Sequence, residues 1–226
     1  MATIAENLQA VKARIGRAAS AAGRDASAVK LLAVSKTHSA TRVGEAACAG
    51  QRAFGENYVQ EALEKIDALG DLEWHLIGPL QSNKTRPAAE RFAWVQTVQS
   101  EKIARRLSEQ RPAALAPLNV LIQVNASGEP SKSGVSMQDA PALARVVSRL
   151  PRLRLRGLMA VPEPGAPRER YREMSSLHQT LQREFGTDTL SMGMSDDLEV
   201  AIEEGATMVR VGTAIFGARA RESRVA

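Results

Sequence analysis

Apolar residues along this chain follow two rhythms that take turns. Short dense runs such as Leu31-Leu32-Ala33-Val34 and Leu118-Asn119-Val120-Leu121-Ile122-Gln123-Val124 have strand length. Between them, apolar side chains recur three and four residues apart, which marks helices with one buried face. The opening stretch is of the second kind. Leu8, Val11 and Ile15 share one face of a helix predicted from Ile4 to Ala22, and Gly23 offers its C-terminal stop. Strands are then predicted over residues 31–35, 53–57, 73–78, 92–98, 118–124, 153–159, 189–192 and 208–211. Helices are predicted over 40–49, 58–68, a stretch after Asn83, 101–110, 140–149, 168–184 and 197–204. Strand and helix alternate with no compositional break to mark a linker. The pattern predicts an α/β fold, a single (β/α)8 barrel with an extra N-terminal helix, as one domain over residues 1–226.

Composition narrows the class. The 226 residues suffice for one substantial core, and 44% hydrophobic with 24% charged is ordinary for a globular chain. A single cysteine, Cys48, permits no internal disulfide and no cysteine-rich metal site, which fits a reducing compartment. The first residues, Met1-Ala2-Thr3-Ile4-Ala5-Glu6-Asn7, lack the basic and apolar regions of a secretory signal. No apolar run approaches the ~18 residues of a membrane span. A cytoplasmic protein without membrane contact is expected. The net charge of +5 raises nucleic-acid binding as a rival. Its densest arginine clusters, Arg152/Arg154/Arg156 and Arg168/Arg170/Arg172, are not interleaved with stacking aromatics, so no nucleic-acid partner is expected.

Candidate chemistry concentrates at two places far apart in sequence. The run Leu31 to Ser35 ends on Lys36, and a lysine at the carboxyl end of a buried strand is poorly solvated, which favours a neutral, nucleophilic amine. In such barrels ligands bind at the carboxyl ends of the strands, with phosphate commonly gripped after strands seven and eight. Those places hold Ser191-Met192-Gly193-Met194-Ser195-Asp196-Asp197 and Gly212-Thr213, which are small and rich in donors. An amine for an aldehyde opposite a cradle for a phosphate fits pyridoxal phosphate (PLP). Arg210 alternates with Val209 and Val211, so it points into the barrel if the valines face the helices.

Each of these residues also has a plainer reading. Lys36 could be a surface lysine, Ser195 and Thr213 helix caps, and Arg210 the partner of a core carboxylate. Asn57, beside Gly55, could bond a cofactor's ring hydroxyl or simply form a turn. His75 could be catalytic or a satisfied core residue. His38 is expected to cap a helix and His178 to be solvated, while Tyr171 sits in an exposed-looking helix. The loop from Ser127 to Ser136, with Lys132, is read as a linker or a lid. No set of His, Asp and Glu has metal-ligand spacing, and no Gly-x-Ser-x-Gly or phosphate-loop motif appears.

Taken together, Ala33-Val34-Ser35-Lys36-Thr37, Phe54-Gly55-Glu56-Asn57-Tyr58, Trp74 to Lys84, Ser191 to Asp196 and Arg210 to Gly217 resemble the PLP homeostasis protein family. That family is similar to the N-terminal barrel of alanine racemase. The resemblance runs through nearly the whole chain, and only the tail after Arg219 departs from it. It implies that Lys36 carries PLP as a Schiff base, that Ser195, Gly212 and Thr213 hold the phosphate, and that Arg210 and Asn57 lie near the cofactor. The expected cofactor-binding set is Lys36, Asn57, Met192, Ser195, Arg210, Gly212 and Thr213. The family has no established catalysis and buffers or hands over PLP, with PLP-dependent apo-enzymes as recipients. The racemase needs a second base from another domain and subunit. Here the chain stops soon after the last barrel segment, so a non-enzymatic monomer is expected. The alternatives are a PLP-dependent amino-acid racemase or a barrel holding some other phosphorylated ligand.

Overall fold

The structure, a computed structural model, describes residues 2–129 and 132–217. The departing tail and the tip of the loop around Lys132 therefore lie partly or wholly outside the described residues. Eight parallel strands close into a ring in chain order. They are β1 (Lys30–Val34), β2 (Ala53–Glu56), β3 (Glu73–Leu76), β4 (Trp94–Val98), β5 (Leu118–Val124), β6 (Leu153–Ala160), β7 (Thr189–Ser191) and β8 (Met208–Val211). The helices are α1 (Ile4–Ala21), α2 (Ala40–Cys48), α3 (Val59–Leu69), α4 (Thr85–Arg91), α5 (Glu101–Gln110), α6 (Ala140–Val147), α7 (Arg168–Phe185), α8 (Leu198–Glu203) and α9 (Thr213–Phe216). The barrel and the extra helix α1 are as the sequence pattern predicts. The pattern gives no warning of the short 3-10 turns at Ala26–Ala28 and Ser82–Lys84, and α9 is foreshadowed only by the cap reading of Thr213, though the N-cap is Gly212.

Period-two alternation divides the core into two layers. On β1, Leu31 and Ala33 face the helices, whereas Leu32 turns inward with Ala53 and Met208. Trp94, Leu121 and Met159 form a second apolar group separate from the main core. The outer layer is larger and gathers the buried faces of the helices around Phe54, Trp74, Val95, Ile122 and Val209. Helix α1 begins with a capping box, the Thr3 hydroxyl accepting from the Glu6 amide and Glu6 accepting from the Thr3 amide. It lies against α8 and α9, where Asn7 donates to the Ile215 carbonyl and Arg24 to that of Ile202.

Ring closure brings the first and last strands together. Strand β8 pairs with β1 in register Leu32↔Arg210 and Ala33↔Val211. Beyond that register, a Cβ on Gly212 would stand 3.1 Å from the Val34 carbonyl, so glycine lets the Gly212-Thr213 turn lie close against the end of β1.

Candidate functional site

The carboxyl ends of β1, β2, β7 and β8 frame a cavity of about 600 Å³, a size suited to a small cofactor. Six of the seven expected residues line it: Lys36, Asn57, Ser195, Arg210, Gly212 and Thr213. Lys36 reaches it by parity, since Leu32 faces the barrel interior and both Val34 and Lys36 line the cavity. Asn57 follows β2 directly and is pressed from behind by the end of β3. A Cβ on Gly78 would lie 2.1 Å from the Asn57 carbonyl oxygen.

Met192 is the exception. It is fully buried in the outer core and does not line the cavity. Ser191 faces inward on β7, so the next side chain faces the helices, and Met194 lines the cavity instead. The backbone between them turns at Gly193, whose φ of +94° and 2.5 Å clearance to the Ala201 Cβ exclude a larger residue. The Gly193 carbonyl accepts from the Arg210 amide at 2.9 Å, and Asp197 accepts from the Met194 amide at 2.5 Å.

Arg14 has no counterpart in the sequence reading. Projecting from α1, it lines the cavity and donates to the Ser195 carbonyl at 2.9 Å. Two further bonds, at 2.7 and 2.9 Å, tie it to Glu199, whose acceptance raises the guanidinium's pKa further. An arginine on the polar face of an amphipathic helix carries no pattern that separates it from a solvated one.

Arg210 points inward, as the alternation predicts, but its partner is not a carboxylate. One terminal nitrogen donates to the Ser191 carbonyl and hydroxyl, both at 2.8 Å, and the other to the Ala160 carbonyl at 2.8 Å. Burial lowers its pKa to about 10, which leaves it charged at neutral pH. A buried cation held by neutral acceptors is an attractive wall for an anionic ligand.

Beneath it runs a chain of buried hydrogen bonds. Arginine can only donate, so the Ser191 hydroxyl accepts from it and donates to Gln96 Oε1 at 2.8 Å. The Gln96 amide nitrogen then donates to His75 Nδ1 at 2.9 Å, and His75 Nε2 donates to Glu73. Glu73 also takes a hydrogen bond from Lys30. Burial pushes His75 down to about 4, and donation from His75 and Lys30 outweighs burial to hold Glu73 at about 2. His75 is thus a neutral, satisfied core residue stacked on Trp94, with ring centroids 5.0 Å apart.

Three expectations are corrected. His38 does not cap α2; the Ser39 side chain does, and His38 stacks on Phe216 at 5.0 Å. His178 is buried rather than solvated, and that burial lowers its pKa. Tyr171 is buried too, donating to Asp197 at 2.7 Å, and the desolvated phenol has a raised pKa. A helix of mostly polar and charged residues conceals both, because its buried stripe is Tyr171, Met174, His178 and Leu181. The arginine clusters are largely paired. Arg168 and Arg172 meet Glu204, Arg170 meets Glu173, and Arg156 meets Asp188. Among the described residues no group of His, Cys, Asp and Glu is arranged to hold a metal. None of their helices is long and apolar enough to cross a membrane.

Known proteins resemble this chain in sequence and fold. The alanine racemase N-terminal domain family matches residues 6–220. The pyridoxal phosphate homeostasis protein of Pseudomonas aeruginosa is 63% identical over 223 residues, covering 97% of each chain. PipY of Synechococcus elongatus, solved with PLP bound, superposes with a TM-score of 0.82 at 35% identity, covering 95% of this chain and all of its own. An alanine racemase of Clostridium difficile shares the fold alone, with a TM-score of 0.74 at 12% identity over 94% of this chain and 56% of its own. The chain belongs to the alanine racemase N-terminal domain family and, within it, to the pyridoxal phosphate homeostasis proteins.

Proposed function

We propose that this chain binds PLP on Lys36 and serves intracellular PLP homeostasis, buffering the cofactor or delivering it to PLP-dependent apo-enzymes. The observation that carries this reading is one cavity lined both by Lys36, after the first strand, and by Ser195, Gly212 and Thr213, after the last two. The bound group supplies an aldehyde that condenses reversibly with a primary amine, C=N replacing C=O as water leaves. Everything else is done by the chain. Ser195 and Thr213 offer hydroxyls to a phosphate, while in α9 the Ile215 and Phe216 amides both donate to the Gly212 carbonyl at 2.9 Å. Arg210 supplies fixed positive charge, and Asn57 a neutral polar contact. Against a ring nitrogen, Arg210 would withhold a proton and leave the ring a weak electron sink, which suits carriage over turnover.

A non-enzymatic role also fits the tyrosines. Tyr171 is committed to Asp197, and Tyr58 is 58% exposed outside the cavity lining. Among the described residues neither tyrosine lines the cavity, which favours exchange of cofactor over tyrosine-assisted stereochemical turnover. We further propose one domain, a monomer in solution, and residence in the cytoplasm, where the exposed free thiol of Cys48 would stay reduced.

Borohydride reduction of the PLP-loaded protein, followed by peptide mapping, tests the assignment. A phosphopyridoxyl group on Lys36 is expected, and Lys36→Met should abolish both the adduct and the visible absorbance. An adduct on another lysine would refute the site. Lys36-dependent exchange of an amino acid's α-proton with solvent would replace homeostasis by racemase chemistry.

A further inference from the structure

The backbone on either side of Lys36 is held by side chains of α3. On one side, Lys65 Nζ donates to the Ser35 carbonyl at 2.7 Å. On the other, the Thr37 amide donates to Glu61 Oε1 at 2.5 Å. These are the two peptide groups that flank the Lys36 Cα. Lys65 also bridges Glu61 and Glu56, at 2.7 Å each, and Glu56 accepts from the Ser35 hydroxyl at 2.6 Å. Lys65 is 4% exposed and Glu56 fully buried, so these bonds are shielded from water and are costly to break.

The turn they hold is not one the chain would choose. Thr37 has φ +66°, a left-handed conformation that a β-branched residue rarely adopts. The Glu61 bond to its amide supplies a reason for that conformation to persist. The same segment also delivers Asn57, which sits between Glu56 and α3.

We propose that Glu61 and Lys65, anchored by Glu56, are positioning residues for Lys36, clamping both of its peptide groups so that its side chain stays on the cavity and retains the cofactor. The inference rests on the reading that Lys36 carries PLP, and it adds the control of retention. Glu61 is the member to test, because its side chain is 24% exposed and the residue can be shortened without opening the core.

The experiment loads wild type, Glu61→Ala, Glu61→Gln and Glu61→Ala/Thr37→Gly with PLP and follows the loss of visible absorbance on dilution. Glu61→Ala should release PLP faster by on the order of tenfold, as expected for loss of one hydrogen bond to a charged acceptor. Glu61→Gln keeps an acceptor for Thr37 and should lie between the two. Adding Thr37→Gly should restore much of the retention, since glycine takes a positive φ without penalty. A merely structural role for Glu61 predicts the opposite, because added flexibility would deepen the loss. Unchanged retention in Glu61→Ala, or a loss that Thr37→Gly deepens, overturns the clamp. If Glu61→Ala does not fold, unchanged retention in Glu61→Gln overturns it and an intermediate loss supports it. Failure of the reading beneath it looks different: borohydride would leave no adduct on Lys36 in the wild type.

Discussion

At the scale of single residues, Arg210 shows how much a position in a strand can reveal. Its flanking valines make its inward direction legible, because one strand cannot send neighbouring side chains to the same face. Its partners were not legible, since backbone carbonyls leave no trace in sequence. Removing the guanidinium while keeping an apolar stem, as in Arg210→Met, strands the Ala160 and Ser191 carbonyls in the interior. Urea unfolding should register a loss of about 1–3 kcal/mol, and PLP titration a weaker affinity. Arg210→Lys should recover part of the affinity but little of the stability, since one ammonium cannot reproduce the planar fork. Met192 teaches the converse lesson. Its place in a striking motif suggested a ligand contact, whereas parity with Ser191 assigns it to the outer core. Arg14 and Glu61 were beyond reach, because charged residues on helices look alike until the tertiary fold selects some of them.

At the scale of elements, the strands were legible because each interior position is answered by apolar neighbours on the outer face. Their ends were less so. The run over 73–78 reads as one strand, yet β3 stops at Leu76 and the chain continues as a brace for Asn57. The brace depends on the bare Cα of Gly78, whose φ is unremarkable and whose need is space alone. Gly78→Ala should therefore push the ends of β2 and β3 apart. An expected cost of roughly 1–3 kcal/mol, the usual range for overpacking, should appear in thermal unfolding together with weakened PLP binding. Unimpaired binding in a folded Gly78→Ala protein would show that Asn57 is not held from behind. Helix α9 left only the cap reading of Thr213 as a trace in the sequence, because four residues are too few to show a period.

At the scale of the whole molecule, the barrel interior is polar along one side, and this shapes its response to acid. His75 must be neutral for Nδ1 to accept from Gln96. Its folded pKa of about 4 lies below the ordinary 6.5, so between those values the unfolded chain binds more protons. The stabilisation is complete above pH 6.5 and disappears as pH falls toward 4, amounting to about 3 kcal/mol. Glu73 extends the loss below its ordinary 4.5 toward 2. Equilibrium unfolding against pH should show this acid limb, and His75→Asn should flatten its upper part while lowering stability throughout. A limb unchanged in that variant would assign it to other groups.

The pairing of β8 with β1 has a temporal meaning as well. The residue that would seize the aldehyde is synthesised well before the loops that would receive the phosphate. No partial chain can offer both, so capture of the cofactor certifies that the final strand has docked onto the first. By mass action, PLP would then act as a rivet across that seam, stabilising the closed ring by an amount that grows with the logarithm of its free concentration.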